Sequence, residues 1–76
     1  MKHIKIISDP QVMMGKPIVA GTRITVELIL EELSHGKSID QLMDAYPTLN
    51  KEGILAALDY AVKVLKSDII YPVKAV

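Results

Sequence analysis

Residues 50–66 read NKEGILAALDYAVKVLK, and this stretch decides the fold. Asn50 suits a helix cap, because its side-chain oxygen can accept an otherwise unpaired N–H of the first turn. Leu49 and Ile54 are spaced as a hydrophobic staple across that start. Glu52, Asp59, Lys63 and Lys66 fall on one narrow stripe, with Asp59 and Lys63 placed as an i,i+4 ion pair. Ile54, Leu55, Ala57, Leu58, Tyr60, Ala61, Val62, Val64 and Leu65 cover the remaining circumference. A helix that is apolar nearly all round is buried nearly all round. A chain of 76 residues has little else to lay over it. The sequence therefore predicts that another subunit or partner completes the burial. Leu55, Leu58, Val62 and Leu65 are the candidate interface residues, together with Ile69, Ile70 and Tyr71 in an extended tail over 67–76.

Two shorter helices are expected upstream. Val26, Ile29, Leu30 and Leu33 make one apolar face, with Thr25 as cap, Glu27 toward the positive end of the dipole, His35 in the last turn and Gly36 just past it. Ser38 and Gln41 form a capping-box pattern, and Ile39, Leu42, Met43 and Tyr46 repeat the apolar stripe until Pro47 ends it. Further back, residues 15–25 read GKPIVAGTRIT, a hairpin. Pro17 fits an edge strand, Ala20-Gly21 a turn, and Thr22 and Ile24 a return strand. His3 to Ser8 alternate weakly as a first strand, closed by Asp9-Pro10. The expected architecture is mainly α with a small β-hairpin. A trihelical helix-turn-helix bundle over 26–66 follows a strand and hairpin arm over 1–25, all one domain.

Half of the residues are apolar, with no Trp and no Phe, so Ile, Leu, Val, Met and Ala must build the core. There is no Cys, which removes disulfide staples and thiolate chemistry and points to a reducing, cytoplasmic setting. The N-terminal stretch lacks the apolar run of a signal peptide, and no segment approaches the roughly 18 apolar residues of a membrane span. Net charge is zero but unevenly spread. Residues 1–23 carry +3, residues 24–62 carry −5, and residues 63–76 carry +2.

The turn between the second and third helices exposes Thr48, Asn50 and Lys51 where a recognition helix would meet the major groove. Lys16 and Arg23 on the hairpin would add attraction for phosphates, whereas Asp40, Asp44, Glu52 and Asp59 repel them. The competing reading is an ordinary three-helix bundle with solvated charges. Arg23, the lone Arg, suits a phosphate or carboxylate, or an ion pair that fixes the hairpin to an acidic helix. Gly15-Lys16 lacks the first Gly and the trailing Ser or Thr of a phosphate-binding loop, and Pro17 removes an N–H from the cradle. Glu31 and His35 lie one turn apart without a third ligand nearby in sequence. Neither a cofactor nor a catalytic set is expected.

The run Gly15-Lys16-Pro17-Ile18-Val19-Ala20-Gly21-Thr22-Arg23-Ile24-Thr25-Val26 resembles the signature of a widespread prokaryotic family, domain of unknown function 433. Ser8-Asp9-Pro10, Gly36-Lys37-Ser38, Tyr46-Pro47 with Leu49, and Ala57-Leu58-Asp59-Tyr60-Ala61 agree in order. Gly53 departs from the pattern, since similar sequences tend to have Asp or Glu there. The resemblance implies a homeodomain-like fold and an antitoxin role beside a toxin that resembles a PIN-domain ribonuclease. It carries over no catalytic residue. The expectation is a non-catalytic antitoxin-like homodimer or higher oligomer, binding such a toxin and its own promoter DNA. The alternatives are a stand-alone helix-turn-helix regulator and a structural dimerisation module without nucleic acid.

Overall fold

A computed structural model describes residues 5–67. Strands β1 (Ile6–Ile7) and β2 (Ile18–Val19) precede helices α1 (Val26–Ser34), α2 (Ile39–Ala45) and α3 (Lys51–Ser67), with a one-turn 3₁₀ segment at Met13–Gly15. The chain is thus mainly α, three helices following a small antiparallel β pair.

Each helix begins where its cap dictates. Thr25 Oγ1 accepts the Leu28 N–H at 3.0 Å. Ser38 Oγ accepts from Gln41 N at 3.1 Å, and Gln41 Oε1 accepts from Ser38 N at 2.8 Å, so the capping box is complete. Asn50 Oδ1 accepts from Gly53 N at 2.8 Å. Caps of this kind contribute about 1 kcal/mol each. α1 stops at His35, and Gly36 leaves in the left-handed region at φ +93. α2 stops one residue before Tyr46, which Pro47 keeps out of helical geometry.

The arms of the expected hairpin meet, and its first arm also pairs with the strand before it. β1 pairs antiparallel with β2, Ile6 opposite Val19 and Ile7 opposite Ile18. The return arm after Gly21, whose φ is +82, meets β2 through a bridge of Thr25 to Ile18, with Val19 N–H donating to Ile24 O at 3.0 Å and Val26 N–H to Pro17 O at 2.9 Å. Thr22 Oγ1 turns back to donate to Val19 O at 2.8 Å and accepts from Ile24 N at 3.0 Å, which tightens the turn. Thr25, bridged through its backbone, caps α1 with its side chain. The first strand is also shorter than His3 to Ser8, of which the structure describes Lys5 onward.

The core is aliphatic. Val19, Ile24, Val26, Ile29, Leu42, Leu49, Ile54 and Ala57 form one buried cluster, with Ile6, Leu28, Leu30, Leu33, Ile39, Met43, Tyr46, Leu58 and Tyr60 packed around it. Gly53 is buried too: a Cβ there would stand 3.2 Å from Val19 Cγ1 and 3.3 Å from Leu49 Cδ1. Glycine at this position lets β2 and the 46–50 turn approach α3 closely. From Val62 to Ser67, by contrast, every residue of α3 is exposed.

Met13, Met14 and Gly15 all have positive φ, at 50, 58 and 80. Left-handed geometry costs a residue with a Cβ about 1–2 kcal/mol, of which glycine's greater unfolded-state freedom gives part back. Met14→Gly should therefore stabilise the fold by about 0.5–1 kcal/mol in urea melts. A lower midpoint would show that the Met14 side chain holds the turn. Ile54→Ala, at a position with 0% exposure, should cost about 2–5 kcal/mol in the same assay.

Candidate functional site

Two surfaces collect the residues that the sequence singles out. The first runs along α3. Leu55, Val62 and Leu65 are 46%, 48% and 59% exposed, and Leu58 between them is half-buried against the core. Their spacing of three, four and three residues places them in one row, the repeat by which helices pack on helices. Next to this row, on the core-facing side of α3, Tyr60, Ala61, Val64 and again Leu65 border an apolar groove of about 340 Å³ with Pro17, Val26 and Leu30. Among the described residues, the chain thus covers one face of α3 and leaves a strip of aliphatic side chains exposed. Ile69, Ile70 and Tyr71, the remaining interface candidates, lie outside the described residues.

The second surface surrounds the 46–50 turn. Arg23 and Thr48 line one open groove of about 640 Å³ with Asp9, Thr22, Tyr46 and Ala45. β2 and the turn at Gly21 carry Arg23 to this edge, while Pro47 turns the chain after α2 and exposes Thr48. Lys51 is exposed at the start of α3. Asn50 is exposed, but its Oδ1 is occupied by the Gly53 N–H, which leaves the amide NH₂ as the group open to a ligand. Lys16 sits apart from Thr48. Its Nζ donates to Glu27 Oε1 at 2.9 Å, and it shares with Arg23 a smaller groove bordered by Glu27 and Glu31. Both side chains of that pair are at least half exposed, so it contributes at most about 1 kcal/mol, yet it neutralises Lys16 locally. Arg23 makes no ion pair among the described residues, although Asp9, Glu27 and Glu31 line the grooves it borders.

The sequence reading gave no role to Met13 and Met14. Met14 is 87% exposed at the tip of the left-handed turn, and Met13 and Ile7 are also exposed. The turn is closed by Gly15 N–H to Val12 O at 3.1 Å and Lys16 N–H to Met13 O at 3.2 Å. Its one signal in the sequence is Gly15, since left-handed methionines have no local signature.

A family model described as "Protein of unknown function (DUF433)" matches residues 6–61. The chain is 34% identical over 56 residues to the uncharacterized protein y4eO of Sinorhizobium fredii, covering 74% of this chain and 25% of that protein. The chain thus spans about a quarter of the relative's length. No solved structure matches.

Because Asn50 serves as cap, a DNA-contact test at this position needs a stability control. Asn50→Ala should lower stability by about 1 kcal/mol in chemical denaturation, whereas Lys51→Ala, fully solvated, should stay within about 0.5 kcal/mol. An unchanged midpoint for Asn50→Ala would mean that the cap contributes nothing.

Proposed function

The chain belongs to the family described as Protein of unknown function (DUF433), and from that premise we propose that it is a non-catalytic, antitoxin-like binding module of the cytoplasm. In this reading it self-associates through α3, binds its own promoter DNA at the edge formed by Thr48, Asn50, Lys51 and Arg23, and restrains a toxin that resembles a PIN-domain ribonuclease. Residues 67–76, with Ile69, Ile70 and Tyr71, are the segment offered to the toxin.

The observation that carries the proposal is the aliphatic strip of α3 left in water, because exposed rows of large side chains on small domains mark association surfaces. A binding role is further supported by the chemistry of the larger groove. It holds one carboxylate, one guanidinium and the hydroxyls of Thr22, Tyr46 and Thr48, with no imidazole or thiol beside them. No helix among the described residues is long and apolar enough to cross a membrane.

For DNA the electrostatics are mixed. Arg23 and Lys51 are the cations available at the edge, while Lys16 is tied to Glu27 and Glu52 follows Lys51 directly. Binding should then be weak, with a shallow salt dependence set by few phosphate contacts. The second reading, a stand-alone regulator, shares this edge and dispenses with the toxin. The third, a structural dimerisation module, needs only α3.

Co-expression with the product of the adjacent gene separates them. A stable complex in which that product's ribonuclease activity is suppressed is the outcome expected. Promoter retardation without any such complex would leave the stand-alone regulator, and neither result would leave the dimerisation module. In retardation assays Lys51→Ala and Arg23→Ala should each reduce the salt dependence by about one phosphate contact. Lys16→Ala should change it least; an effect of Lys16 larger than that of Lys51 would place the DNA edge elsewhere.

A further inference from the structure

We infer that two copies of this chain pair their α3 helices antiparallel, Leu55 of one packing on the partner's Leu65 and Leu58 on the partner's Val62. This rests on the self-association reading above and gives it an interface, a polarity and a register. Leu55, Leu58, Val62 and Leu65 are symmetric about position 60, so one two-fold axis brings all four layers together at once. The row abuts the core side of the helix, where Ile54 and Ala57 are fully buried, so the shared seam would extend the hydrophobic core of each chain.

Polarity follows from the flank. Glu52, Asp59 and Lys66 recur every seven residues along one edge of the row. A parallel pair would turn this edge toward the opposite edge of the partner helix, so these charges would not meet one another. The antiparallel pair places Glu52 beside the partner's Lys66 at both ends. Asp59 meets the partner's Asp59 at the centre, but each is already neutralised by Lys63 of its own helix at 2.9 Å. Neither Glu52 nor Lys66 has an ion-pair partner among the described residues. Shape agrees with charge. The exposed end of α3, from Val62 to Ser67, has no cover among the described residues, and the first half carries exposed Leu55. Antiparallel pairing lays the bare end of each helix over the first half of the other. Val62 and Leu65 lie beyond the family match at residues 6–61, so membership alone does not supply this seam.

The test uses the full chain, which contains no Cys. Sedimentation over a range of concentrations measures the dimer. Glu52→Lys and Lys66→Glu should each weaken it roughly three- to tenfold, since each disturbs two solvent-exposed pairs, and the double variant should return to within about twofold of the original. Circular dichroism of each variant checks that folding is unchanged. Leu55→Cys mixed with Leu65→Cys should oxidise to the mixed disulfide in preference to either homodimer. A dominant Leu55→Cys homodimer would overturn the polarity while leaving self-association intact. A dimer indifferent to all four substitutions would place the interface elsewhere, with the apolar groove between α1 and α3 the next surface to probe. A monomer at high micromolar concentration would remove both the seam and the self-association on which it rests.

Discussion

The burial of Ile54 and Ala57 is the contact on which the other elements converge. These two side chains, with Gly53 before them, form the inner face of α3, and α1, α2, β1 and β2 all pack against that helix. Their mutual contacts are fewer and more local. With no aromatic residue fully buried among the described residues, the interior gains its stability from many small aliphatic contacts, each of modest size. Such a core tolerates little loss. It also explains why the strands can be two residues long: a pair this short is not stable alone and persists because its inner residues, Ile18 and Val19, are buried.

The helix boundaries were legible in the sequence because they are set by local chemistry. Thr25, the Ser38–Gln41 pair, Asn50, Pro47 and Gly36 act within a few residues of themselves, and each does in the structure what its side chain or ring requires. The strand pairing was harder to read. Residues 18–19 pair with residues 6–7 on one edge and meet residues 24–25 on the other, and no periodicity reveals the first of these partners. The close approach of Gly53 to Val19 becomes visible only in three dimensions. Of the candidate surfaces, the row on α3 was legible from composition around the helix. The partner of Lys16 was not, since Glu27 lies eleven residues away and meets it through a loop.

Charge and apolar surface are arranged on different parts of the molecule. The acidic middle segment places Glu27 and Glu31 on α1 beside the one Arg, and this tempers any attraction for polyanions at that edge. The aliphatic row on α3 is bordered by charges of both signs, acidic toward its start and basic toward its end. That gradient makes the helix electrostatically self-complementary when reversed, whereas the whole chain has no net charge with which to repel a copy of itself.

The hub helix is also the last of the three in the chain, and translation proceeds from the other end. A nascent chain that has emerged as far as Leu49 holds both strands and two helices of nine and seven residues, none with its inner face covered. Helices that short are marginal in water without tertiary contacts. The domain therefore cannot close segment by segment as it leaves the ribosome. It must wait for residues 51–57 and then condense in one step, so every newly made copy passes through an open state that proteases and chaperones can reach.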